Sequence, residues 1–139
     1  MPLFYTSLNS GSNGNCYYVG NEQDAVLVDI GISCRETVNR MSSLGLMIER
    51  VRAIFISHEH SDHIRGVEVL SRRYRIPVYM SAITCLNDLV PVEKELMRTF
   101  SSNERIDIAS LSVNAFSKLH DSADPARCTS TESELAACL

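Results

Sequence analysis

Tryptophan is absent from this chain, lysine occurs only at Lys94 and Lys118, and no apolar run approaches the roughly 18 residues that a membrane-crossing helix needs. The last gap excludes a membrane span. The 139 residues carry 13 Lys+Arg against 17 Asp+Glu, a formal net charge of −4, which excludes a strongly basic nucleic-acid-binding arm. With only two lysines, eleven of the 13 cations are arginine, and Arg65, Arg72, Arg73 and Arg75 lie close together. Local recognition of phosphate or carboxylate therefore stays open. Cysteine is equally unorganised: Cys16, Cys34, Cys85, Cys128 and Cys138 are odd in number and include no Cys-x-x-Cys pair. That argues against a disulfide framework or a thiolate metal site, and the expectation is buried, reduced thiols in a cytoplasmic protein. The first fifteen residues have neither a cationic start nor a long apolar run, so no secretory leader is expected; Asn-x-Ser/Thr acceptors and internal repeats are also missing. What remains, with 45% hydrophobic residues, is one globular domain with a modest core.

The apolar residues that are present fall into short runs. Leu3 to Leu8 and Tyr17 to Val19 read as a hairpin around Ser10-Gly11-Ser12-Asn13-Gly14-Asn15, whose glycines lack the Gly-Lys-Ser/Thr of a phosphate-cradling loop. Ala25 to Ile30 reads as a strand buried on both faces, which makes Asp29 costly unless a group at the strand end pairs with it. Ser33 to Glu36 has the form of a capping box opening a helix through Val38, Met41 and Leu44 that ends at Gly45. Val51 to Ile56 is a second apolar strand. Behind it, Ile64, Val67, Leu70 and Tyr74 mark one face of a helix closed by Arg72, Arg73 and Arg75, cations that complement the helix dipole without needing a ligand. Pro77 to Met80 reads as a strand, Ser81 to Val90 and Glu93 to Met97 as short helical pieces, and Ile106 to Phe116 as a hairpin. The order of strands and helices predicts a layered α/β domain.

Three of the four histidines, His58, His60 and His63, fall within six residues beside Asp62. At this composition His-x-His-x-Asp-His arises by chance on the order of once in ten thousand chains of this length. Residues two apart in an extended segment point the same way, so His58 and His60 grip one cation while Asp62 and His63, past a turn, face a second position. Asp62 also stands where an N-cap belongs, ahead of Ile64, and the two roles are compatible. His120 sits alone in Lys118 to Pro125, where residue type and context alone favour an exposed loop histidine.

The segment Phe55-Ile56-Ser57-His58-Glu59-His60-Ser61-Asp62-His63-Ile64-Arg65-Gly66 resembles the metal motif of the metallo-β-lactamase-fold metal-dependent hydrolases. Ser7 to Val19, Val28-Asp29-Ile30-Gly31 and His120-Asp121-Ser122-Ala123-Asp124-Pro125 are similar to the WalJ/YycJ-like branch, bacterial cytoplasmic hydrolases associated with DNA exonuclease activity. The resemblance implies an αββα sandwich. It implies one metal on His58, His60 and His120 and a second on Asp62 and His63, with Asp62 serving catalysis and Asp29 beneath them as an outer-shell group. It further implies zinc, with iron or manganese as alternatives, and attack of a metal-activated hydroxide on a phosphodiester of nucleic acid.

The resemblance covers residues 1–126, about the N-terminal half of such a domain, and 127–139 reads as a divergent tail. There the family would bring a strand with a bridging carboxylate and later a last histidine; this chain has Glu132 and Glu134, with Ser130 to Leu139 reading as a capped helical turn. A truncated gene, a frameshift near Pro125 and a fragment would all give this outcome. One metal is therefore expected rather than two, and an active hydrolase, a catalytically weak metal-binding half-domain and an inert structural homologue all stand as readings. A thioester hydrolase of the glyoxalase II kind shares the histidine motif and competes for the substrate class. Half a sandwich is also expected to leave a bare apolar sheet face on Ala25 to Ile30 and Val51 to Ile56, covered by a second copy in a homo-oligomer or by the folded-back tail.

Overall fold

In a computed structural model, which describes residues 2–114 and the backbone of residues 115 and 126–130, a six-stranded sheet runs in sequence order: β1 (Phe4–Asn9), β2 (Cys16–Gly20), β3 (Ala25–Val28), β4 (Val51–Phe55), β5 (Val78–Ser81) and β6 (Met97–Phe100). The first three strands are antiparallel neighbours joined by tight turns. From β3 onward the pairings are parallel, so each connection must cross over, and α1 (Cys34–Ser43), α2 (Ser61–Ile64) with α3 (Val67–Tyr74), and α4 (Ala82–Leu86) fill those crossovers. Helix α1 starts where the capping pattern puts it, with the Ser33 side chain accepting from Glu36 N at 3.1 Å. A second, antiparallel sheet holds β7 (Arg105–Ile108), β8 (Leu111–Ala115) and β9 (Ala126–Ser130).

Alternation decides which side chains enter which layer. On one face of the large sheet Leu8, Tyr18, Leu27, Ile54, Val78 and Met80 pack against Met41 of α1 and Val67 and Leu70 of α3. On the other face Val19, Val26, Val28, Ala53, Phe55 and Phe100 meet Ile106, Ile108, Leu111 and Val113 of the β7–β8 hairpin. The layers are helices, large sheet, small sheet: three of the four layers of an αββα sandwich. The sheet face expected to be bare is thus covered within the chain. Among the described residues the cover is the hairpin at Arg105–Ala115, which lays its alternating apolar residues across the strands that sequence left open.

Two further expectations need correction. The helix read continuously from Ile64 to Tyr74 is interrupted after Ile64, because Gly66 N donates to Ile30 O at 2.8 Å and α3 restarts at Val67. The piece read as helical from Glu93 to Met97 is a 3-10 turn at Lys94–Leu96, and the chain then pairs with β5 as edge strand β6. Ala126–Ser130 forms β9 alongside β8, so the start of the segment read as a divergent tail pairs with the small sheet; Thr131 to Leu139 lie outside the described residues. Arg72 and Arg73 do close α3, and Arg75, left-handed at φ 53°, is bound to Glu93 and Glu95 at 2.6 and 3.1 Å.

Candidate metal centre

The parallel pairing of β3 with β4 sets Val28 beside Phe55, so the two chains leave the sheet together. Asp29 follows β3 with its amide on Phe55 O at 2.8 Å and its backbone at φ 63°, a left-handed conformation that Asp tolerates better than most residues. Its carboxylate is buried, 1% exposed, and the cost of that burial is offset by three donors. Ser57 N donates to Oδ1 at 2.8 Å, and Ser57 Oγ and His63 Nδ1 meet Oδ2 at 2.5 and 2.6 Å. The expensive carboxylate predicted at a strand end therefore has its partners there.

Those bonds fix the imidazoles. With Nδ1 of His63 donating to Asp29, Nε2 is the nitrogen left for a ligand bond, and His58 Nδ1 is similarly engaged by Ser57 Oγ at 2.9 Å. The hydrogen bond that His63 donates to Asp29 raises the His63 pKa against the opposing effect of burial. His58 shifts the other way: burial and then the neighbouring His63 lower it, which favours the neutral imidazole that binds metals. The ring centroids of His58 and His63 are 4.7 Å apart, and those of His58 and His60 are 6.3 Å apart.

Among the described residues, Asp29, His58 and His63 bring donor atoms within 4.8 Å of one another. Both oxygens of Asp29 are engaged by Ser57 and His63, so the oriented imidazoles of His58 and His63 are what this group offers a divalent cation, with Asp29 fixing one of them from behind. Asp62 is adjacent, with Oδ2 3.7 Å from His63 Nε2, and His60 is exposed at the start of α2. His120 lies outside the described residues. Asp62 is not the N-cap that its position suggested. Helix α2 begins two residues earlier than such a cap would allow, with His60 at the cap position and Asp62 in the first turn, where its carboxylate meets Asn15 Nδ2 at 3.3 Å.

Sequence reasoning missed Ser57 and Asn15. Ser57 is the first polar residue after the apolar strand, and only the β3–β4 register, 28 residues apart in sequence, shows that it faces Asp29. Asn15 closes the glycine-rich turn and reaches Asp62 across 47 residues. Gly31 makes these approaches possible: a Cβ there would fall on Asp62 O and Asn15 N, so no other residue lets the three loops close on each other.

Known proteins resemble this chain in sequence and, separately, in fold. Exodeoxyribonuclease YycJ of Bacillus anthracis is 36% identical over 130 residues, covering 90% of this chain and 48% of that protein. Exodeoxyribonuclease WalJ of Streptococcus pneumoniae is 31% identical over 126 residues, covering 87% of this chain and 47% of that protein. The chain thus spans about half the length of these curated relatives. Among solved structures, the Rm3 metallo-beta-lactamase superposes with a TM-score of 0.73 at 21% identity, over 92% of this chain and 54% of that one, a likeness of fold. Residues 10–101 match the family model described as the Metallo-beta-lactamase superfamily, and since that stretch takes in the Asn15 turn, Asp29 and the whole histidine loop, the chain belongs to the metallo-β-lactamase superfamily.

Proposed function

We propose that this chain carries the metal-binding half of a hydrolase that cleaves phosphodiester bonds in nucleic acid, in the manner of an exodeoxyribonuclease. The observation that carries the reading is the histidine loop locked by Asp29: the Asp29–His63 and Ser57–His58 bonds leave ring nitrogens oriented for a cation, in a chain similar to two exodeoxyribonucleases. His58, His60 and His120 are assigned to one zinc, and Asp62 and His63 to a second, weaker position. Asp29 orients His63 from outside the ligand set. A bound divalent cation supplies Lewis-acid activation of water and neutralises charge on the phosphoryl oxygens. Asp62, partly exposed beside His63, is the carboxylate placed to hold a proton or a cation at the reacting position. A catalytically weak half-domain is the second reading, supported by the half-length match to both relatives.

Two further assignments accompany this one. Cys16, Cys34 and Cys85 are free thiols, with burial pushing Cys16 up to about 12, and they support a cytoplasmic setting; no helix among the described residues is long and apolar enough to cross a membrane. With that sheet face covered, self-association into a homo-oligomer is assigned to Ile83, Leu86 and Leu89, which are exposed along and after α4. Sedimentation at several concentrations tests it, and a Leu86→Glu variant should shift an oligomer toward monomer.

The functional test is metal content per chain after dialysis, paired with hydrolysis of an end-labelled oligodeoxynucleotide. One tightly held zinc per chain, lost in His58→Ala and His60→Ala, with weak hydrolysis that Asp62→Ala abolishes, is the expected result. Unchanged metal content in both histidine variants would overturn the assignment.

A further inference from the structure

Asn15 ends the turn between β1 and β2, and its side-chain amide is held from both directions. Gly11 N donates to Oδ1 and Nδ2 donates to Gly11 O, each at 3.2 Å, while Tyr17 OH donates to Oδ1 at 3.2 Å. Reversing the amide would set its NH2 against two donors and its oxygen against the Gly11 carbonyl, so the orientation is fixed by its neighbours. The atom turned toward the metal centre is therefore Nδ2. It lies 3.3 Å from Asp62 Oδ2, 3.4 Å from Asp62 O and 3.5 Å from His63 Nε2.

The backbone repeats the connection. Asn15 N donates to Asp62 O at 2.7 Å and Gly31 N donates to Asn15 O at 2.8 Å, so this one residue ties the turn both to α2 and to the loop carrying Asp29. An amide N–H facing His63 Nε2 suits only the tautomer whose proton sits on Nδ1, the tautomer that Asp29 also selects. With Oδ2 of Asp62 engaged by Asn15, Oδ1 is the oxygen left for a cation.

We propose that Asn15 is a positioning residue of the metal centre: oriented by Gly11 and Tyr17, its amide holds Asp62 in place as a ligand. The inference rests on the reading of Asp62 as a metal ligand, and the experiment separates the two. Affinity for the second, weaker equivalent of Co2+ or Zn2+, the position assigned to Asp62 and His63, is measured on the 139-residue chain by competition with a chromophoric chelator, beside thermal unfolding without metal. Asn15→Ala should weaken metal affinity about tenfold, in the range seen when partners of metal ligands are removed. In an Asp62→Ala background the same substitution should change affinity less than about twofold, since a group that acts through Asp62 has nothing left to position. Tyr17→Phe, a mild change that retains the ring, should give a smaller loss of the same sign and no further loss once Asn15 is Ala. Parental affinity in both Asn15→Ala and Tyr17→Phe, or a loss in Asn15→Ala that persists undiminished without Asp62, would overturn the proposal. If Asp62→Ala alone leaves affinity unchanged, the ligand reading falls and the positioning role falls with it. A silent Asn15→Ala beside a damaging Asp62→Ala sinks the positioning role only.

Discussion

Replacing Asp24 by Ala tests what seats the small sheet on the large one. Asp24 is buried just before β3, and its carboxylate receives Arg52 Nε at 2.8 Å, Ser110 N at 3.1 Å and Ser110 Oγ at 2.5 Å. Ser110 lies in the β7–β8 turn, 86 residues away, and Asn21 donates to the same hydroxyl at 2.8 Å. One carboxylate thus fastens turns that belong to different sheets. Removing it strands the Ser110 amide and hydroxyl; because that turn is only partly buried, the cost falls at the low end of the roughly 1–3 kcal/mol expected for an unsatisfied donor. The Arg52 side chain is about half exposed, which holds that pair to at most about 1 kcal/mol. The expected loss is roughly 2–3 kcal/mol, read from urea unfolding at constant m-value. Ser110→Ala should couple to it by about 1 kcal/mol in a double-mutant cycle, and amide exchange in Leu111 to Val113 should quicken. A loss below about 0.5 kcal/mol, or strictly additive effects, would refute the idea that this contact seats the hairpin.

The same carboxyl predicts a pH dependence. Burial alone raises the Asp24 pKa, but the hydrogen bonds from Ser110 and Arg52 outweigh it and hold the group below its ordinary value of 3.8. A depressed folded pKa contributes stability that is full above the unfolded value and disappears as pH falls through the folded one, so Asp24→Ala should flatten the acid limb of urea stability below about pH 4. Phe55, buried with its ring 4.8 Å from Tyr79 and 6.1 Å from Phe100, should cost about 3–5 kcal/mol when replaced by Ala, again by urea unfolding. Gly31→Ala should cost about 1–3 kcal/mol through overpacking and lower metal affinity in the same protein, because the Asp62 and Asn15 backbones must both move; parental stability in that variant would show that the loops have room.

Elements whose signal is local were readable from sequence. The Ser33 cap, the apolar runs of β3 and β4 and the alternation of β7 and β8 each report on their own few residues. β6 carried no such signal, since Met97-Arg98-Thr99-Phe100 is an edge strand with two exposed polar residues and is defined by its pairing with β5. Periodicity showed that Ile106, Ile108, Leu111 and Val113 alternate, but not that they would cover Val26, Val28 and Phe55. At the metal centre the contiguous histidines were legible because their ligand spacing lies within one segment. The bonds that organise them, Asp29 to Ser57 and to His63 and Asn15 to Asp62, are long-range and depend on register.

That division between a contiguous arm and a distant lock bears on how the protein acquires a cation. His58, His60 and His63 remain neighbours when the chain is unfolded, so a denatured or nascent chain already offers a loose multi-imidazole grip. Asp29, 34 residues before His63, joins only once β3 and β4 have paired across the α1 crossover. Metal stabilises a fold only by the difference between its affinities for the folded and unfolded chain. The cation should therefore raise the unfolding free energy by less than its affinity for the native protein implies, and loading should run ahead of folding during synthesis rather than wait for it.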